Sequence, residues 1–391
     1  MDNMKEILLK ATEKNARELF AIGCDIFDHP ECGLEEFYAS NLLVTYLESK
    51  GFQAERGIAG LETAFRAVWE RGSGGPSIGF LLEYDALRNM GHACGHHLQG
   101  PACIGAALAL MEACNQPFKL VLYGTPDEEG QGGKIVMERS GCFRDVDVMF
   151  AHHAAASTSA TYKNRALAPF RVTFHGTPTH ASGSPHKGRS ALDAMLLAFH
   201  GLEILREHVK DGCRIHYTIL EGTGPSNIVH ETAKAHITLR SYDRYYLDEM
   251  MQRAKNVIYG ACLMTDTTAD IVPRNIYWNF VPVSSLRELV LDTAGELGAE
   301  NLVREKVMGG GSTDVSNVSW IVPTANVYTF LCKGSAHTEA YLNAAKTENG
   351  FQCMLSGSKI IGLTALKLIE NKVLLETIKG EHRLAIQPES E

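Results

Sequence analysis

The stretch SIGFLLEYDALRNMGHACGHHLQG, residues 77–100, joins a continuous apolar run to a cluster of cysteine, histidine and glycine. The run SIGFLLE (77–83) predicts a strand buried on both faces, as strands of parallel sheets are. Cys94 and His96 stand two residues apart, so they can face one ion where the backbone is extended but not within a helix. The glycines of GHACGHHLQG favour an irregular turn over a helix. This segment is therefore a candidate metal site or a core segment with polarizable side chains.

Similar apolar runs recur on either side of this stretch, with helical periodicity between them. The helices are predicted near 5–24, 34–50 and 98–114, and the strands near 61–69, 77–83, 118–124 and 147–152. Such alternation is typical of an α/β domain whose sheet is mostly parallel and flanked by helices.

The pattern changes from about residue 168. Two long amphipathic helices and several strands of alternating polarity predict a compact α+β unit over 168–284. The α/β pattern then resumes, with a helix in SSLRELVLDTAGELG, a strand in TANVYTF and a long helix near 347–371. We therefore expect a catalytic domain formed by 1–167 and 285–391, interrupted by an inserted domain.

Composition excludes several classes of function. The chain has 391 residues, a formal net charge of −9 and no basic block, which argues against nucleic-acid or anionic-membrane binding. The first residues lack the apolar core of a signal peptide, and the most apolar internal run is too short to span a bilayer. The ten cysteines are scattered singly, which favours a reducing compartment and predicts a cytoplasmic protein.

Residues that can bind metal follow four of the predicted strands. They are Glu83 and Asp85, Asp127, Glu128 and Glu129, His152 and His153, and His337, with Cys94 and His96 in the turn after the first strand. Taken singly, each has an ordinary explanation as a core residue or a helix terminus. Because carboxyl ends of parallel strands meet at one edge of a sheet, their coincidence predicts a metal site there.

The residue types indicate which metals would bind. Thiolate, imidazole and carboxylate together suit Zn, Mn, Co or Ni better than Ca or Mg. Five ligands exceed one tetrahedral shell, so we expect two ions with an activated water between them. Cys94 is the best candidate for a bridging ligand. One glutamate of the pair Glu128–Glu129 would bind metal, and the other would face the water.

A family resemblance rests on motifs that occur in a fixed order. They are HPECGLEEF, EYDAL followed by GHACGHH, PDEEGQGG, FAHH, GTPTHASGSPHKGRSALDA, GPSNIVHETA, GGGSTDVS and AHTEAY. In them the chain resembles the co-catalytic metallopeptidases that include aminoacylases, hippurate hydrolases and indole-acetyl-amino-acid hydrolases. EYDAL followed closely by GHACGHH is most similar to the branch of aminobenzoyl-glutamate hydrolase and the β-alanyl-lysine type dipeptidase. The resemblance extends from about residue 29 to past residue 340.

The resemblance implies a role for each matching residue. The implied metal ligands are Cys94, His96, Glu129, His153 and His337. Glu128 corresponds to the general base, Asp85 to a carboxylate that orients a ligand, and His180 to a histidine that crosses a dimer interface to stabilise the oxyanion. Asn227 and Arg240 correspond to groups that hold the substrate carboxylate, and Gly311 lies in a glycine-rich loop that lines the pocket or, alternatively, is a plain surface loop.

The chain departs from the family pattern at three positions. His97 stands where many relatives have Asp or Asn, and it could replace His96 as a ligand. Arg88 and His230 stand where many relatives have proline. These changes affect the pocket rim, and so the substrate, more than the chemistry.

The expected function is hydrolysis of an amide whose amino-side product is an amino acid with a free carboxylate. A dipeptidase and an N-acyl-amino-acid deacylase are both open, and the protein is expected to be a homodimer or a higher homo-oligomer. A non-catalytic metal-binding relative is a further alternative, against which the presence of Glu128 argues. A thiol enzyme with Cys94 as nucleophile and His96 as base would survive metal removal, whereas the metal mechanism would not.

Overall fold

The computed structural model describes residues 2–387, and the chain forms two compact units. The first unit comprises the chain up to Lys163, the segment Phe280–Gly309 and the chain from Thr313 onward. The second unit comprises Asn164–Asn279 and Gly310–Ser312.

Both units combine helices with strands. The strands are β1 (Gln53–Arg56), β2 (Phe65–Arg71), β3 (Ser77–Leu82), β4 (Phe118–Gly124), β5 (Val148–Ala155), β6 (Ser159–Ala160), β7 (Ala166–His175), β8 (Arg214–Glu221), β9 (Thr232–Ser241), β10 (Thr268–Pro273) and β11 (Thr324–Phe330). The helices are α1 (Asp2–Asp28), α2 (Phe37–Ser49), α3 (Gln99–Ala113), α4 (Gly133–Arg139), α5 (Ala191–Arg206), α6 (Arg244–Thr265), α7 (Ser284–Glu296), α8 (Val315–Val318), α9 (Glu339–Ala345), α10 (Glu348–Glu370) and α11 (Lys372–Ala385).

The sheet of the first unit has the strand order β1-β2-β4-β3-β5-β11-β6. Its centre is parallel, because β3 pairs in parallel with β4 and β5, and β5 pairs in parallel with β11. The antiparallel pairs lie towards the two edges. Strand β3 is buried along almost its whole length, which explains its uninterrupted apolar sequence.

Helices cover both faces of this sheet. On one face α1, α3 and α10 contribute to a large apolar core, and α3 is buried on all sides, in keeping with its small apolar residues. On the other face a smaller core includes Met137 of α4 and Val315 and Val318 of α8. The central strands are thus held between two apolar layers, which fixes the positions of the loops at their carboxyl ends.

The second unit has an antiparallel sheet in the order β10-β7-β9-β8. Alternate residues of β7 and β9 are buried against α5 and α6, as the alternating sequence pattern predicts. The predicted fold class, a mostly parallel α/β sheet accompanied by a separate α+β insert, is confirmed.

The element bounds differ from the predicted ones mainly near the first edge of the sheet. The strand predicted near 61–69 is β2, Phe65–Arg71, and the short strand β1 was not predicted. β1 is mostly exposed, so it lacks the apolar pattern that identifies a strand from sequence. Among residues 2–387 no helix is long and apolar enough to cross a membrane.

Candidate metal centre

The carboxyl ends of β3, β4, β5 and β11 bring the predicted metal-binding side chains together. Three groups of side chains within the described part of the chain have ligand atoms close enough to hold an ion. The groups are Cys94, His96 and His153; Cys94, Glu129 and His337; and His96, Glu128 and Glu129. Cys94, His96 and Glu129 are each shared between two groups, so the three groups form one continuous centre.

The His96 ring is oriented by Asp85. Its Nδ1 lies 2.9 Å from Asp85 Oδ1 and 3.1 Å from the Asp85 carbonyl oxygen, so Nδ1 carries the proton and donates it. The opposite nitrogen, Nε2, is buried and has no hydrogen-bond partner. An unprotonated buried nitrogen without a partner is the arrangement that a metal ligand requires.

Backbone geometry places Cys94 and His96 side by side. Gly95 between them has φ of 91°, a left-handed conformation that glycine adopts without strain, and His96 begins a short 3₁₀ turn before α3. A Cβ on Gly95 would also approach Ala154 at 3.1 Å. The segment is therefore an irregular turn, as its glycines predicted.

His153 is oriented in the same way as His96. Its Nδ1 lies 2.6 Å from the Ala154 carbonyl oxygen and donates to it, while its Nε2 lies 3.4 Å from Cys94 Sγ. Burial raises the pKa of the Cys94 thiol, which therefore needs a nearby cation to ionise. Cys94 is buried and lacks the electropositive surroundings of a free catalytic thiolate, which argues against the thiol-enzyme alternative.

Glu129 and His337 complete the second side of the centre. His337 Nε2 lies 3.0 Å from Glu129 Oε1, and the backbone N–H of Glu129 donates to Asp85 Oδ2 at 2.9 Å. Asp85 thus binds the segments that carry His96 and Glu129 with its two oxygens. Burial by itself would raise the pKa of Asp85, but the charge of His96 and the hydrogen bonds hold that pKa below its ordinary value.

Glu128 lies at the centre but is held more loosely than its neighbour. Its Oε2 is 3.9 Å from His96 Nε2. Burial, reinforced by the negative charges of Glu83 and Asp314, raises the pKa of Glu128 well above its ordinary range. A carboxyl group with a raised pKa can hold a proton near neutral pH, which is the property of a general acid and base.

The donor set of this centre fits transition-metal ions. It combines one thiol, imidazoles whose Nε2 atoms face the centre and carboxylates, and the unpartnered His96 Nε2 is aimed among them.

A buried ion-pair network beside the centre was not predicted. Lys134 Nζ lies 2.6 Å from Glu83 Oε1 and 2.7 Å from Asp314 Oδ1, and none of these side chains is appreciably exposed. Burial opposes the charge of Lys134, but Asp314 and Glu83 outweigh it and raise the pKa of the ammonium. The only signals in the sequence are a lysine after the glycines of PDEEGQGGK and the aspartate of GGGSTD. Neither indicates burial by itself.

Neighbouring histidines have structural contacts. The His97 ring packs 5.0 Å from the Phe27 ring, its Nε2 faces the Ala345 carbonyl oxygen at 3.5 Å, and within the described residues it takes part in none of the three ligand groups. His152 Nε2 lies 2.7 Å from Thr329 Oγ1, and burial lowers the pKa of His152 to about 3. The possibility that His97 replaces His96 as a ligand is therefore not supported by this geometry.

The predicted oxyanion and carboxylate residues belong to the second unit. His180 is exposed, and its Nδ1 accepts from the N–H groups of Ser182 and Gly183 at 3.3 and 3.1 Å, which leaves the proton of the neutral ring on Nε2. The Asn227 carbonyl oxygen accepts from the Ala181 N–H at 2.8 Å, so Asn227 lies next to the His180 segment.

Arg240 and Gly311 lie near each other through a short segment of that unit. Arg240 lies at the end of β9, and its Nη1 donates to Ser312 Oγ at 3.0 Å. The Gly311 carbonyl oxygen accepts from the Arg165 N–H at 3.1 Å. Of the departures from the family pattern, Arg88 is exposed, and His230 lines a cavity of about 240 Å³ in the second unit.

Comparison with known proteins gives a consistent result. The family described as Peptidase family M20/M25/M40 matches residues 80–356. The chain is 32% identical to Xaa-Arg dipeptidase of Mus musculus, with 100% of this chain and 94% of that protein covered. It is 29% identical to a p-aminobenzoyl-glutamate hydrolase polypeptide of Escherichia coli (strain K12), with 98% and 95% covered.

A solved structure shows the same fold. A dinuclear metal-binding peptidase of the M20 family from Bacillus subtilis superposes with a TM-score of 0.68 at 16% identity, covering 92% of this chain and 99% of that one. These likenesses confirm the family resemblance that the motifs predicted.

Proposed function

We propose, for a chain that belongs to peptidase family M20/M25/M40, that this metal-dependent amidohydrolase cleaves N-acyl amino acids or small dipeptide-like substrates that carry a free carboxylate. The observation that carries the proposal is the sharing of Cys94, His96 and Glu129 among three ligand groups. Sharing of this kind suits two neighbouring ions rather than one.

The proposed cofactors are two divalent ions of Zn, Mn, Co or Ni. Cys94, His96, Glu129, His153 and His337 would hold them, with Cys94 between the two sides because it belongs to a group on each side. When bound, such ions supply an acidified water and an electrophile for the substrate carbonyl.

Glu128 is the proposed general base. Its carboxylate is buried beside His96 Nε2 and has a raised pKa, so it can accept a proton from the attacking water and donate it to the leaving amine. Asp85 does not touch the substrate in this scheme. It acts by holding the His96 tautomer and the Glu129 backbone in position.

The second unit supplies the proposed groups for substrate binding. His180, with its proton on Nε2, would donate to the oxyanion, and such a donor contributes about 3–4 kcal/mol to transition-state stabilisation. Arg240 and Asn227 would bind the substrate carboxylate, and Gly311 would line the pocket. His180 would act across a homodimer, for which the motif resemblance is the support.

A deacylase acting on N-acyl amino acids is a second candidate on the same site. The relatives include both an Xaa-Arg dipeptidase and a p-aminobenzoyl-glutamate hydrolase, whose names share an amide bond to an amino acid. A screen of β-alanyl dipeptides, N-acetyl amino acids and aminobenzoyl-glutamate, each with Mn, Co and Zn, separates the two. All ten cysteines are free thiols, which supports a cytoplasmic location for either activity.

The test of the proposal is the substitution Glu128→Gln. We expect turnover to be lost while the protein retains its bound metal, because the amide cannot accept the proton and the proposed ligands remain intact. Glu55→Gln, which changes an exposed glutamate on β1, is the matched control and should leave turnover unchanged. Near-normal turnover of Glu128→Gln would rule out Glu128 as the base.

A further inference from the structure

Glu83 lies beside the metal centre and is held by two donors. Its Oε2 is 3.4 Å from His96 Nε2, the nitrogen proposed to bind metal. The same Oε2 accepts from Gln99 Nε2 at 2.6 Å, and Oε1 lies 2.6 Å from Lys134 Nζ. Both oxygens of this buried carboxylate are therefore engaged by protein donors.

The distance to His96 by itself would allow Glu83 to bind the same ion. Two ligand atoms in a tetrahedral shell with bonds of about 2.0–2.2 Å are separated by roughly 3.4 Å. However, Glu83 takes part in none of the three ligand groups found among the described residues. The structure thus contains a carboxylate at ligand distance that is not grouped with the ligands.

Lys134 distinguishes Glu83 from the ligand carboxylates. The ammonium is fully buried between Glu83 and Asp314, and the Lys134 backbone N–H also donates to Asp314 Oδ2 at 3.0 Å. A buried ammonium needs such partners, so the network resists rearrangement. A divalent ion on the other oxygen of Glu83 would be repelled by the ammonium in this poorly solvated region.

We propose that Lys134 is a positioning residue that withholds Glu83 from the metal ions. The ammonium binds the Glu83 carboxylate and keeps it from becoming an additional ligand next to His96. This inference rests on the ligand set proposed above, and it adds a reason why a carboxylate so close to His96 does not join that set.

The substitution Glu83→Gln tests the proposal directly. The Gln99 amide can turn to accept from the new side-chain amide, because its Oε1 is buried without a partner. Apo protein prepared with a chelator is titrated with Zn²⁺ in competition with a chromophoric chelator. We expect two sites with affinities within about threefold of the wild type. A loss of tenfold or more at either site would identify Glu83 as a ligand and overturn the proposal.

The substitution Lys134→Met gives a result of opposite sign for a merely structural lysine. If Lys134 only supports the fold, its loss should weaken Zn²⁺ binding. If it withholds Glu83, the released carboxylate should tighten binding at one site by about tenfold or more, and adding Glu83→Gln should reverse that gain. Unchanged or weaker binding by folded Lys134→Met overturns the proposal. If this variant does not fold, Glu83→Gln alone decides.

The controls separate this inference from the proposed function. Lys379→Met removes an ammonium from Asp147 at the opposite edge of the sheet and should leave Zn²⁺ affinity unchanged. If the wild type itself binds no Zn²⁺, the proposed function fails. If the wild type binds two ions and Glu83→Gln binds fewer or more weakly, only the role of Lys134 fails.

Discussion

The substitution Asp85→Asn should weaken metal binding more than it changes any other property. Asp85 is buried and accepts two hydrogen bonds of 2.9 Å, one from His96 Nδ1 and one from the Glu129 N–H. An asparagine has one acceptor oxygen, so it can satisfy only one of these donors. If its NH₂ group faces His96, the ring proton must move to Nε2, which removes that nitrogen as a ligand.

The size of the effect follows from these contacts. Loss of a partner that orients a metal-binding histidine typically reduces metal affinity by about 10–100-fold, equivalent to about 1.4–2.8 kcal/mol. Removal of the negative charge lowers affinity in the same direction. We therefore expect Zn²⁺ affinity, measured by competition with a chelator, to fall by at least tenfold at the site that contains His96.

A matched control distinguishes orientation from general destabilisation. Asp147 accepts from the Ser77 N–H at 2.9 Å and from Lys379 at 2.7 Å at the other end of β3, so Asp147→Asn makes the same chemical change away from the centre. Urea denaturation of both apo variants reports stability separately from metal affinity. Wild-type affinity in Asp85→Asn, or an equal loss in Asp147→Asn, would refute the reasoning.

Three further expectations concern pH, the oxyanion and the metal. Burial raises the pKa of Glu36 to about 7, whereas the unfolded chain releases this proton near pH 4.5. The folded apo protein then binds more protons between these values, so its free energy of unfolding should fall on the order of 2 kcal/mol as pH rises through this window, and Glu36→Gln should abolish the change in urea titrations at pH 5 and 7.5. For His180→Ala, steady-state kinetics should show a larger fall in kcat than rise in KM, because the donor acts on the transition state. Mixing His180→Ala with Glu128→Gln should restore some activity if the histidine crosses a dimer interface, and no recovery would contradict that arrangement. A chelator should abolish turnover, and added Zn²⁺, Mn²⁺ or Co²⁺ should restore it, whereas activity that survives metal removal would favour thiol chemistry at Cys94.

Much of the fold was predictable because burial leaves a direct mark on the sequence. Strands β3 and β4 are buried along nearly their whole length and read as continuous apolar runs. The exposed edge strand β1 has no such pattern, and its place in the sheet depends on pairing with β2. Local sequence does not encode a pairing of that kind.

Part of the metal centre was also predictable from sequence. Polar residues that follow buried parallel strands must meet at one edge of the sheet, so the types and positions of Cys94, His96, Glu129, His153 and His337 are enough to indicate a shared site. Tautomers were not predictable, because they depend on which atom faces each ring. The pairing of His96 Nδ1 with Asp85 is such a contact.

The residue types, their order and the strand periodicity determined the fold class and the chemistry available to this protein. Only the tertiary structure decided which carboxylates remain free to bind metal. Glu83, Lys134 and Asp314 are separated by up to 231 residues along the chain, yet they form one buried network. A charge becomes costly, and therefore selective for its partner, only when folding removes it from water, and no local pattern in the sequence records that environment.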